Sequence, residues 1–157
     1  MEKIVEKIKA TWYKNSGAEL QNISTVERDL DIIFPNDYKT FITWSNGGEG
    51  EVGGNYISLW KIEDIITLNN DYQIQKYLSK DFLAIGTDGG GVCYGFNLRD
   101  NFSFFKCPLG DLDINELSLI TKSFKEFFEK AMTDENFVPH PEKSDKSFFE
   151  KVKDMFS

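Results

Sequence analysis

Residues 82–97 read FLAIGTDGGGVCYGFN, two short runs rich in aromatic and branched residues on either side of Thr-Asp-Gly-Gly-Gly. A phosphate-binding loop needs glycines that open directly into a helix, so that backbone N–H groups and the helix dipole meet the anion, and its Walker form adds Lys and Ser/Thr. Here a strand pattern follows the glycines instead, and Asp88 brings a negative charge to the place a phosphate would occupy. Asp-Gly and Gly-Gly supply the positive φ of a tight turn at little steric cost. The stretch therefore reads as a β-hairpin. Three consecutive glycines exceed what a two-residue turn requires, and the surplus lets another chain segment approach closely, in the protein's own fold before a partner's.

Outward from the hairpin the period of two continues. FSFFKC at 102–107 predicts a third strand of an antiparallel meander, and NYISLW at 55–60 alternates Tyr56 and Ser58 against Ile57 and Leu59, again a strand. GEGEVGG, just before it, reads as a loop. Helical spacing takes over elsewhere: Ile4, Ile8 and Trp12 at the start; Tyr38, Phe41, Ile42 and Ser45 between Pro35 and Gly47; Ile62, Ile65, Ile66 and Asn69; and Phe124, Phe127, Phe128 and Ala131 at the end of LSLITKSFKEFFEKAM. Ser24 with Glu27 suggests a capping box at the start of a short helix that Pro35 stops. The fold class is α+β: a mostly antiparallel sheet flanked by N-terminal helices and a C-terminal helix. The 157 residues suit a single core, with one domain over 1–132. The composition then shifts to TDENFVPHPEKSDK, so 133–157 reads as a Pro-containing linker and a C-terminal amphipathic helix, SFFEKVKDMF.

The net charge of −8 excludes the usual nucleic-acid binder, which needs Lys and Arg to release condensed counterions. Residues 49–113 hold ten Asp/Glu against five Lys/Arg, so the middle of the chain carries most of the negative field and suits a basic partner. The N-terminus threads charges through its apolar residues, unlike a signal peptide, and no stretch approaches the roughly 20 apolar residues of a membrane span. Cys93 and Cys107 fit neither a secreted disulfide framework nor a zinc or redox spacing, so they read as reduced and the protein as cytoplasmic.

The search for catalytic chemistry yields little. His140 is the single histidine and lies between two prolines, where nothing sequence-local would orient it as a base. Glu49 with Glu51, and Asp111 with Asp113, are acids two apart of a kind common in solvated loops, and GDLD is too short for a calcium loop. No catalytic residue, metal or cofactor is expected.

The order of landmarks carries further. STVERDLDIIFPNDYKTFITWSNGGEGEV, then NYISLWKIEDIITLNNDY, then FLAIGTDGGGVCYGFN, then SFKEFFEKAM resembles the SUKH superfamily, which is named for the yeast Smi/Knr cell-wall assembly regulators and includes bacterial relatives. The resemblance covers roughly residues 20 to 132. It implies a shared fold, no common catalytic residues, and a bacterial immunity protein that neutralises a polymorphic or contact-dependent toxin, often a nuclease, by stoichiometric protein–protein inhibition. The alternative it implies is a regulatory or scaffold module with no toxin. On the immunity reading the basic toxin would meet Glu49, Glu51, Asp71, Asp88 and Asp100, with Tyr56 and Tyr72 supplying apolar contact; no nucleic acid or membrane is expected as a partner.

Overall fold

Seven strands follow one another across a single antiparallel sheet in chain order: β1 (Trp12–Tyr13), β2 (Gly48–Val52), β3 (Asn55–Leu59), β4 (Phe82–Thr87), β5 (Val92–Asn97), β6 (Ser103–Pro108) and β7 (Ser118–Thr121). The computed structural model describes residues 1–137; the expected linker and helix of the C-terminal segment, from 138 onward, lie outside them. Helices α1 (Glu2–Ile8), α2 (Leu20–Leu30), α3 (Asn36–Trp44) and α6 (Phe124–Thr133) build one apolar layer with the inner face of the sheet. Phe124 stands within 5.3 Å of Tyr38 and 5.5 Å of Phe41, ring centre to ring centre, and edge-on to both. This aromatic interior, with Phe96, Phe104, Phe127 and Phe128 also fully buried, is where most of the apolar area goes.

A second, smaller cluster lies on the outer face. There α4 (Ile65–Asp71) and α5 (Ile74–Tyr77) follow a 3₁₀ turn at Ile62–Asp64. Ile74 and Leu78 cover Phe82, Ala84, Cys93, Phe105 and Cys107. Asn69 fastens this layer: its Nδ2 donates to the carbonyls of Ile65 and Ala84, both at 2.8 Å, while its Oδ1 accepts from the Ala84 amide at 2.9 Å and from Gln75 Nε2 at 3.0 Å. The register of β4 on β5 slips between Ala84 and Gly86, so Asn69 satisfies backbone groups at the irregularity.

The α+β expectation and the 82–107 meander agree with this architecture, and β3 buries Ile57 and Leu59 while Tyr56 and Ser58 point the other way. Several local readings are corrected. The first helix ends at Ile8, and Trp12 lies in β1 opposite Gly50, its ring edge-on to Phe41 at 5.5 Å and its Nε1 donating to Ser45 Oγ at 3.3 Å. An i, i+4 spacing records only that Trp12 must be buried. The capping box at Ser24 is absent, because α2 already begins at Leu20; Glu27 instead accepts from the Phe34 amide at 2.7 Å and pairs with Lys39 at 3.3 Å, tying together the α2–α3 connection. That helix ends at Leu30, with Asp31 at φ 55°, and Pro35 is the N-cap of α3. The reciprocal cap stands at α6, where Ser123 Oγ accepts from the Glu126 amide at 3.1 Å and Glu126 reaches back to the Lys122 amide at 3.0 Å.

GEGEVGG is not a loop: Gly48–Val52 is β2. Its glycines face inward, where a Cβ on Gly48 would stand 2.6 Å from Trp12 Nε1 and one on Gly50 would run into the Thr11 carbonyl, so close approach of the Thr11–Trp12 segment explains a strand made of glycine and glutamate. Likewise Ser118–Thr121 does not open the last helix but forms β7, and the helical run that begins near Ile62 is broken at Gln73, which takes φ 58°.

Candidate functional site

The outer face of the sheet has two halves. Over β4 to β6 it lies beneath α5 and the leucines of the connection after β6, with α4 fastened to β4 through Asn69, but over β1 to β3 no described helix covers it. Pairing places Tyr13, Glu49, Ser58 and Thr87 side by side in one row, with Glu51 and Tyr56 in the next. Tyr13 is 76% exposed, and Glu49 and Glu51 are exposed beside it. Strand alternation creates this arrangement: the residues that turn Gly50, Val52, Ile57 and Leu59 into the core turn the acids and tyrosines outward. Desolvation and the hydrogen bond and charge of Glu49 push the Tyr56 hydroxyl up to about 12, so it stays protonated and donates to that carboxylate at neutral pH.

At one end of this half opens a cleft of about 570 Å³ between the strands and the segment that leads into α4. Tyr13, Glu49 and Ser58 line it from the strands, and Trp60, Lys61 and Asp64 from the segment that follows β3. The Trp60 ring stacks on Tyr72 with 3° between planes and 5.8 Å between centres, so its orientation is set by a neighbour. Lys14 also borders the cleft, but its Nζ donates to the Asn15 carbonyl at 3.1 Å and lies 5.9 Å from the Trp44 ring centre. Among the described residues, Glu49, Glu51, Asp64 and Asp71 form no ion pair. Carboxylates, ring faces and hydroxyls on an open surface equip it for recognition of a cationic, partly apolar ligand.

Of the residues expected to meet a partner, Glu49, Glu51 and Tyr56 come together here. Tyr72 joins them through Trp60, and Asp71 is exposed at the end of α4 beside it. Asp88 does not fit the expected acidic surface. It is only 6% exposed, and its Oδ1 accepts from the Gly90 and Val92 amides at 2.9 and 3.1 Å, holding the hairpin turn closed. Asp100 lies at the opposite end of that hairpin, where its Oδ2 accepts from Ser103 Oγ at 2.9 Å. A carboxylate in a glycine turn reads as surface charge in sequence, yet the turn's own amides are the first donors it meets. The surplus glycine has an internal use: at Gly89, φ 82°, a Cβ would stand 2.8 Å from the Tyr56 ring, whereas Gly91 faces open space.

Tyr13, Trp60 and Asp64 were not among the expected binding residues. Their only sequence signal was that Trp60 ends a strand whose alternate residues, Tyr56 and Ser58, face outward. No group of three or more metal-ligating side chains occurs among the described residues. Cys93 and Cys107 sit opposite each other in the covered half; burial and the neighbouring Cys107 push the Cys93 thiol up to about 12, which makes it a poor nucleophile. His140 lies outside the described residues. No helix among the described residues is long and apolar enough to cross a membrane.

Two comparisons with known proteins bear on this face. A family model described as the SMI1 / KNR4 family (SUKH-1) matches residues 17–130, which take in β2 to β7 and α2 to α6 up to its last turn. The uncharacterized protein YnaB of Bacillus subtilis (strain 168) is 40% identical over 60 residues, 38% of this chain and 40% of YnaB, so the match spans well under half of that relative's length.

Proposed function

This chain belongs to the SMI1/KNR4 (SUKH-1) family, and from that premise we propose that it is a cytoplasmic immunity protein that neutralises a bacterial toxin by binding it one to one. The observation that carries this reading is the half of the outer face that no described helix covers, where, among the described residues, Glu49 and Glu51, with Asp64 and Asp71 on the segment bordering it, form no ion pair beside Tyr13, Tyr56 and Trp60. A basic toxin face fits it by charge. A nuclease is the favoured class, because the surface that holds a substrate's phosphates is cationic and is blocked by an acidic protein surface. Such complementarity speeds encounter by about 10- to 1,000-fold at low salt, and the rings supply apolar burial that slows release.

The test pairs this chain with the toxin encoded beside its gene. Co-expression should protect cells from the active toxin, and calorimetry with an inactivated toxin should give a stoichiometry of one, with association that slows as salt is raised. Cells left unprotected would reject the immunity reading. Capture of a non-toxin protein through the same face, without protection, would favour the regulatory-module reading of the family instead.

A further inference from the structure

The cleft at the end of the open face points to a particular occupant, and we propose that it receives an arginine of the partner, with the guanidinium laid on Trp60 between the carboxylates of Glu49 and Asp64. This rests on the reading of the face as partner-binding and adds the chemistry that selects the partner. About 570 Å³ is ample for one long side chain and the backbone on either side of it. Both carboxylates line the cleft from different elements, Glu49 from β2 and Asp64 from the turn before α4, so a planar group with donors on several edges can address both. Stacking on Tyr72 holds the Trp60 plane in place before any ligand arrives, which lowers the ordering cost of binding.

The same geometry separates arginine from its rivals. Lysine presents a strongly hydrated point charge that neither lies flat on a ring nor bridges two carboxylates as a fork does, so it should bind more weakly. An anion would have Lys61 to meet, since the Lys14 ammonium is held at Asn15 and Trp44, but it would face Glu49 and Asp64 and the negative side of the indole ring. Lys61 also disfavours a second cation, so a single arginine with neutral neighbours fits better than a polybasic run.

Nuclear magnetic resonance of the intact chain reads this directly through the indole N–H of Trp60, with acetyl-Gly-Arg-Gly-amide as the probe. Saturable shifts are expected with a Kd on the order of 1 mM, as suits one side chain. They should weaken about threefold with lysine in place of arginine, and vanish with citrulline, which keeps the shape and loses the charge. Glu49→Gln with Asp64→Asn should weaken the arginine peptide about tenfold, and Glu116→Gln, far off near β7, should leave it unchanged. These surface changes leave the aromatic stack intact, so they stay informative even if Trp60→Ala disturbs folding. Equal shifts from the citrulline peptide, shifts from acetate or phosphate in place of arginine, or no shift at all would overturn the assignment. If the toxin binds and Glu49→Gln with Glu51→Gln weakens it while the peptide does not bind, the face stands and the cleft's occupant is wrong. If the peptide binds while no toxin is neutralised, the cleft chemistry stands and the immunity reading falls.

Discussion

Two tyrosine-sized patches of one sheet surface have opposite fates. Phe105 and Tyr56 both point to the outer face, yet Phe105 is fully buried beneath α5 and edge-on to Phe82 at 5.3 Å, whereas Tyr56 looks out between Glu49 and Glu51. The reason is the reach of two short helices. α5, with α4 fastened beside it through Asn69, covers the strands that follow, and among the described residues no helix lies over β1 to β3, so the sheet has three layers over one half and two over the other. Residues in the covered half are committed to folding; those in the open half are available for contact.

This contrast can be broken most sharply at Phe105. Phe105→Ala should cost about 4 kcal/mol of unfolding free energy, measured by denaturant titration, and a loss below about 1 kcal/mol would mean the second layer is not packed as described. Asn69→Leu comes next, at about 3 kcal/mol, because the Ala84 amide and carbonyl would both lose their partner. Within the shared inner layer, Tyr38 and Tyr94 bury hydroxyls with no hydrogen-bond partner among the described residues. Tyr38→Phe and Tyr94→Phe should therefore each stabilise, by about 1 kcal/mol, in the same unfolding measurement.

The same two tyrosines set a pH dependence. Burial raises both hydroxyls above the ordinary tyrosine value of 10.0, so the folded chain keeps protons that the unfolded chain releases. Their contribution is complete below pH 10 and is lost as pH rises beyond it, so stability should decline in that range, and less steeply in the double Phe variant. The smallest stability effect belongs to the open half. Glu49→Gln with Glu51→Gln should change the unfolding free energy by no more than about 0.5 kcal/mol, yet slow toxin association about tenfold at low salt. A large loss of stability there would show that the face is structural after all.

Several of these features were readable before the fold was known. The order of the motifs, the 82–107 meander and the α6 stripe of Phe124, Phe127 and Phe128 follow from periodicities of two and 3.6, which each segment carries by itself. The candidate face was half readable: alternation in NYISL turns Tyr56 outward, but GEGEV hides a strand because glycine has no side chain to mark its inward positions, and those glycines make sense only against the Trp12 ring at Gly48 and the Thr11–Trp12 backbone at Gly50.

What the sequence by itself determined was the kind of each central element and the side of each strand that must be apolar, since these depend on neighbours a few residues away. Which outward residues would stay outward was decided only in three dimensions. Asp88 is taken up by the amides of its own turn, Cys93 and Phe105 are roofed by α5, and Glu49 and Asp64 line one cleft from different elements, the last two through packing between segments that no local pattern encodes. Burial is a property of the whole packed chain, and a helix too short to span the sheet cannot cover its far strands.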